Sequence, residues 1–96
     1  MIAIVEQAAA AAVPEVAMRY DQPELRLLVA LCRELQRHAG NGTFFLATRT
    51  AGELVGVSRQ QASRWLRLLV YDSILNLVNR GDRRGRRASE FRYLGD

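Results

Sequence analysis

Residues 50–71 read TAGELVGVSRQQASRWLRLLVY, and this stretch contains two helix starts separated by one stop. Thr48 or Thr50 is predicted to cap the first helix, and Thr50-Ala-Gly-Glu53 has the capping-box spacing, in which a hydroxyl accepts from an amide three residues on and the glutamate reaches back. Gly56 ends that first helix, because glycine tolerates the left-handed conformation of a helix terminus. Ser58-Arg-Gln-Gln61 repeats the capping signature, and the second helix is predicted to run to Asp72. Two capped helices joined through Gly56-Val57-Ser58 must cross tightly. Small residues Ala51 and Gly52 permit that approach, Val55 and Val57 flank the turn, and Ala62 and Trp65 cover them from the second helix.

The second helix divides into two stripes. Ala62, Trp65, Leu66 and Leu69 recur at helical spacing and form the packing stripe, with Trp65 read as core rather than as a base-stacking platform. Arg59, Gln60, Ser63, Arg64 and Arg67 form the complementary stripe. Every one of these side chains donates hydrogen bonds. Arginine can bond O6 and N7 of guanine together, and glutamine can bond N6 and N7 of adenine. The N-terminal turns of a helix seated in a DNA groove make the base contacts, which places Arg59, Gln60, Ser63 and Arg64 over bases, with phosphate as the alternative for Ser63. Arg67, further along, is assigned as a phosphate clamp. For an isolated helix, a solvated basic face would be the simpler reading, so the flanking elements matter.

C-terminal to this pair, residues 74–79 (ILNLVN) and 88–94 (ASEFRYL) read as strands. Between them Arg80, Arg83, Arg84, Arg86 and Arg87 surround Gly81 and Gly85, with Asp82 the one acid. A hairpin bearing such a loop can lay guanidinium groups along a phosphate backbone or insert one into a narrow minor groove. N-terminal to the pair, Thr43–Ala47 (TFFLA) is too short for a helix and rich in strand formers, which predicts an edge strand. Asp21-Gln-Pro-Glu24 predicts a helix start capped by Asp21, and the helix continues to Ala39. Leu25, Leu28, Val29, Cys32 and Leu35 mark its apolar stripe, with Arg26, Arg33, Glu34 and Arg37 largely outside it; Gly40-Asn41-Gly42 ends it. The division expected is 1–20, a helical arm or linker remnant, and 21–96, one domain. The fold class expected is mainly α with a small antiparallel β-sheet.

Charge supports a polyanion partner. Of the 96 residues, 14 are basic, all of them arginine, and 10 are acidic. Residues 1–57 hold five arginines against six carboxylates, a net of −1, whereas residues 58–96 hold nine against four, a net of +5. Positive charge gathered in one half is the footprint of a nucleic-acid surface. The single Cys32 excludes an internal disulfide and gives no sign of secretion. Residues 1–16 lack a basic leader and carry Glu6, which disfavours a signal peptide, and no run reaches the roughly 18 apolar residues of a membrane helix. A cytoplasmic, nucleoid-associated protein is the expectation, with no membrane partner.

Enzymatic readings find no support in the residues. His38 and Cys32 stand six apart on one helix, well separated around its axis, which defeats a metal pair or a thiol–imidazole dyad. Gly81 to Gly85 lacks the lysine and following helix of a phosphate loop. A non-enzyme with no catalytic residue, metal, cofactor or small-molecule ligand is expected.

The order helix, short strand, helix, turn, helix, hairpin resembles the winged helix-turn-helix superfamily over residues 22–94. More narrowly, PELRLLVALCRELQRHAG (23–40), FFLATRTAGELVGVSRQQASRWLRLLV (44–70) and RRASEFRYL (86–94) are similar to the DNA-binding segment of primase-polymerase and replication-type proteins of bacterial mobile elements. The resemblance implies a fragment or free-standing relative of a replication protein, with residues 1–20 left from a connection to another domain. It implies no polymerase activity, since nothing of a primase active site is present. Double-stranded DNA binding in replication, priming or transcription regulation is the function expected. A winged helix used for protein–protein contact is the alternative, and RNA or single-stranded nucleic acid ranks lowest because no exposed aromatic platform is expected beside the arginines. The apolar N-terminal segment offers a route to a homodimer, which would read two half-sites about one helical turn, or a multiple of it, apart.

Overall fold

A computed structural model describes residues 15–80 and 88–95. The chain is mainly α with a small antiparallel sheet, in the element order of a winged helix-turn-helix. A 3-10 turn over Glu15–Arg19 precedes α1 (Pro23–Ala39), β1 (Phe44–Leu46), α2 (Thr48–Val55), α3 (Arg59–Tyr71), β2 (Leu75–Asn79) and β3 (Ser89–Tyr93). Of the segment 1–20, residues 1–14 lie outside the described residues. The remainder packs on α1, with Ala17 and Tyr20 inside the common core.

α1 is the central post. Leu25, Leu28, Val29, Cys32 and Leu35 are buried as the periodicity predicts, and Ala30, Leu31 and Glu34 are buried with them. The wider face follows from its surroundings, because the 3-10 turn, α2, β1 and β3 all pack against this one helix. Glu34, read from the sequence as lying outside the apolar stripe, is only 6% exposed, and Arg37 Nη1 donates to its Oε1 at 2.9 Å. The cap also differs from expectation. Gln22, extended at φ −78° and ψ 124°, is the N-cap and makes no side-chain cap bond. Pro23 is the reason: it disfavours helical geometry in the residue before it, and this leaves Asp21 one position too early to cap.

The strand order is β1-β3-β2, all antiparallel, so β1 is an edge strand as its length and composition suggest. Phe44 pairs with Phe91 across β1 and β3, their ring centroids 6.0 Å apart, and Phe44, Leu46, Leu75 and Phe91 face the core. Gln36 staples this sheet to the end of α1. Its Nε2 donates to the carbonyls of Gly40 and Gly42 at 2.9 and 2.8 Å, while its Oε1 accepts from the Tyr93 amide at 2.9 Å. Arg92 Nη1 adds a bond to the Asn41 carbonyl at 3.0 Å. A register shift between Leu77 and Asn79 interrupts the β2–β3 ladder near residues 80–88.

α2 starts at Thr48 with Ala47 as N-cap and no side-chain bond, so neither of the predicted caps, Thr48 or Thr50, is the cap. Pairing of Leu46 with Ser89 holds the chain extended up to that point, and the Ala51 amide already bonds the Ala47 carbonyl at 2.9 Å, so Thr50 lies inside the first turn. α3 is capped as expected, Ser58 Oγ accepting from the Gln61 amide at 3.1 Å. Between them Gly56 adopts the left-handed conformation, φ 81° and ψ 32°. Its amide and that of Val57 both bond the Gly52 carbonyl at 2.9 Å.

Gly52 is the contact point of the helix pair. A Cβ built on it would lie 2.8 Å from the Val57 carbonyl oxygen and 3.2 Å from the Ser58 carbonyl carbon and oxygen. All three atoms are backbone and cannot rotate away. In an uncrowded helix, replacing glycine by alanine gains about 0.5–1 kcal/mol. Here overpacking reverses the sign, and Gly52→Ala is expected to lower the unfolding free energy by about 1–3 kcal/mol in a urea titration. Unchanged or increased stability would show that the two helices separate at no cost.

Candidate nucleic-acid interface

The outward face of α3 is built by the burial of its other side. Ala62, Leu66 and Leu69 are buried, and Trp65 is half-buried with its packing directed at the same core, as its register with them predicts. Helical geometry then turns the complementary stripe to solvent. Arg59, Gln60, Arg64 and Arg67 are exposed and Ser63 is half-buried. No aspartate or glutamate occurs anywhere in α3, so the arginines meet no carboxylate on their own helix. The backbone amides at its N-terminus add partial positive charge beside Arg59 and Gln60.

Engagement with the described residues divides the arginines into those bound to the body and those uncommitted, Arg49 on α2 sharing the uncommitted state of the α3 arginines. Arg26 donates from Nε to the Tyr20 carbonyl at 2.6 Å, Arg37 to Glu34, and Arg92 to Asn41. These three secure the body. Arg59, Arg64 and Arg67 make no side-chain hydrogen bond or ion pair with another described residue. Arg80, at the end of β2, is exposed as well. Arg83, Arg84, Arg86 and Arg87 lie outside the described residues. The structure therefore brings five of the ten residues singled out from the sequence, Arg59, Gln60, Ser63, Arg64 and Arg67, onto one helix surface, with Arg80 at the base of the hairpin.

Two exposed residues were not singled out. Arg49 stands in the first turn of α2, and Tyr71 closes α3. Continuing the Gln60, Arg64, Arg67 spacing by four positions would have found Tyr71, whose exposed ring beside the arginines corrects the expectation that no exposed aromatic accompanies them.

The far end of α3 is anchored from a distance. Tyr20 Oη donates to Asp72 Oδ2 at 2.5 Å, fastening the residue after the helix to the segment before α1. The carboxylate of Asp72 is thereby engaged by the body. The helix ends in a left-handed Ser73, φ 61°, with the Ile74 amide bonding the Leu69 carbonyl at 2.9 Å. Such a six-to-one closure holds the last turn rigidly.

Among the described residues no group of three metal-ligating side chains occurs, and no helix is long and apolar enough to cross a membrane. Compared with known family models, curated proteins and solved structures, the chain matches none.

Burial, reinforced by the hydrogen bond to Asp72 and that residue's negative charge, pushes the Tyr20 phenol up to about 12 from 10.0. Burial pushes the Cys32 thiol up to about 12 from 9.0. Both raised values favour the neutral form in the folded state. Their stabilisation is therefore complete below pH 9 and is lost as pH rises through about 12. Urea titrations between pH 8 and 12 are expected to show stability falling across this window, with Tyr20→Phe flattening the part above pH 10. A stability that stays level to pH 12 would contradict both assignments.

Proposed function

We propose that the chain binds double-stranded DNA, with α3 in the major groove and the hairpin arginines on the flanking backbone. What supports this reading most is the α3 face itself: three arginines and a glutamine exposed together, without a carboxylate on the helix, opposite a stripe that is buried. Guanidinium and carboxamide groups at these positions have the donor and acceptor patterns that read guanine and adenine edges. Arg59, Gln60, Ser63 and Arg64 take the base-reading role. Arg67 takes a phosphate, and Arg80 with Arg83, Arg84, Arg86 and Arg87 supplies backbone affinity with little sequence information.

On this reading the protein acts on chromosomal or mobile-element DNA in the bacterial cytoplasm, in replication and priming or in transcription control. The resemblance of its helical segments to those of replication-type proteins favours the former. No chemical step is proposed for it, and the residues named are assigned to binding.

Fluorescence anisotropy against random duplex and single strand tests the reading. Duplex binding is expected to be favoured and steeply salt-dependent, with a log–log slope of about −4 for four or five phosphate contacts at about −0.9 each. Arg67→Ala is expected to weaken all duplexes alike and reduce the slope by about one contact. Arg64→Ala should instead cost about 1–3 kcal/mol of discrimination between a selected site and random sequence. Equal losses on every sequence for both variants would remove the base-reading role. No duplex binding at low salt would remove the function and favour a protein partner.

A further inference from the structure

The last residue of α3, Tyr71, is 87% exposed, the most exposed of the large hydrophobic side chains among the described residues. It continues the interface stripe. Gln60, Arg64, Arg67 and Tyr71 are separated by four, three and four positions, which places them one above another on the same side of the helix. This turn gives Leu69 to the core, with Leu68 and Val70 packed partly against it, whereas the Tyr71 ring stands outside. Its placement is nevertheless fixed, because the amides of Asp72, Ser73 and Ile74 close the helix end onto Leu68, Val70 and Leu69.

Length decides what Tyr71 meets. At about 1.5 Å per residue, Tyr71 lies roughly 10 Å beyond Arg64 along the axis. The major groove is about 12 Å wide and curves away from a straight rod, so a helix whose first turns face the bases leaves the floor before its thirteenth residue. At the groove's edge stand sugars and phosphates. Tyrosine suits that edge: its ring covers the apolar sugar, and its hydroxyl donates to a phosphate oxygen. The charge beside it also fits. Asp72 would repel a phosphate if its carboxylate lay on this face, and the Tyr20 hydroxyl holds that carboxylate toward the body.

We propose that Tyr71 is a DNA-backbone contact at the C-terminal end of α3, a neutral clamp that fixes how far the helix enters the groove. The proposal rests on the duplex-binding reading above and adds a residue and a kind of contact to it. A neutral contact releases no counterion, and this distinguishes it from an arginine contact.

The test is anisotropy with the full chain and a random duplex over a range of salt concentrations, alongside thermal unfolding. Tyr71→Ala is expected to leave the melting temperature unchanged and to raise Kd by about 10- to 150-fold, as for the loss of a hydrogen bond to a charged group. Its salt slope should stay that of the wild type, whereas Arg67→Ala flattens it. Tyr71→Phe should recover part of the affinity through the ring alone. Wild-type affinity in Tyr71→Ala overturns the proposal while leaving duplex binding intact. A flattened slope in Tyr71→Ala overturns the neutral-clamp role. A wild-type chain that binds no duplex overturns both readings together.

Discussion

The approach of α2 to α3 at Gly52 is the constraint on which the exposed face depends. Its missing side chain admits the Val57 and Ser58 backbone, and its carbonyl receives the amides of Gly56 and Val57. One residue thus sets both the separation of the helices and the turn between them. Once the turn is fixed, Ser58 is in place to cap α3, and the helix axis leaves in a defined direction. Burial of Ala62, Leu66 and Leu69 then determines its rotation. The arginines need no interaction of their own to be presented outward. Their positions are consequences of backbone contact on one side and apolar packing on the other.

The sheet makes that arrangement rigid. Because β3 lies between β1 and β2, the strand before α2 and the strand after α3 are joined through a third, and the helix pair is clasped at both ends. Gln36 and Arg92 fasten β3 to the end of α1, while Tyr20 fastens the end of α3 to the residues before α1. Ser73 in the left-handed region departs from the glycine preferred there, at a cost of about 1–2 kcal/mol for a side-chain-bearing residue. The closure of α3 and the Tyr20–Asp72 bond accompany that conformation and offset it.

Elements set by local chemistry were legible in the sequence. The α3 boundaries, the Ser58 cap, the Gly56 stop, the short edge strand and both hairpin strands follow from residue spacing, and the structure places them within a residue or two. The misreadings share another origin. Asp21 and Thr50 carry good capping chemistry, but the helices begin elsewhere because Pro23 and the β1–β3 register fix their starts. Glu34 reads as a surface residue until Arg37 and the crowding around α1 are known. Tyr20 bonds a partner 52 positions away, which no window of sequence contains. Tyr71 was visible as the next residue in the stripe, but an aromatic at a helix end reads equally well as core until its exposure is known.

Charge in this protein is better understood through engagement than through totals. A net of +5 over residues 58–96 suggests a polyanion surface, yet Arg92 belongs to that half and serves the fold, holding Asn41. Arg26 and Arg37, in the half with net −1, are bound in the same way. An arginine already donating to the body has less to offer a ligand, since a new contact must replace an existing bond. Those of α3 carry no such obligation toward the described residues. Uncommitted guanidinium groups are thus gathered where helix geometry presents them, and the arginines bound to the body instead hold elements that seat α3, as Arg26 holds Tyr20.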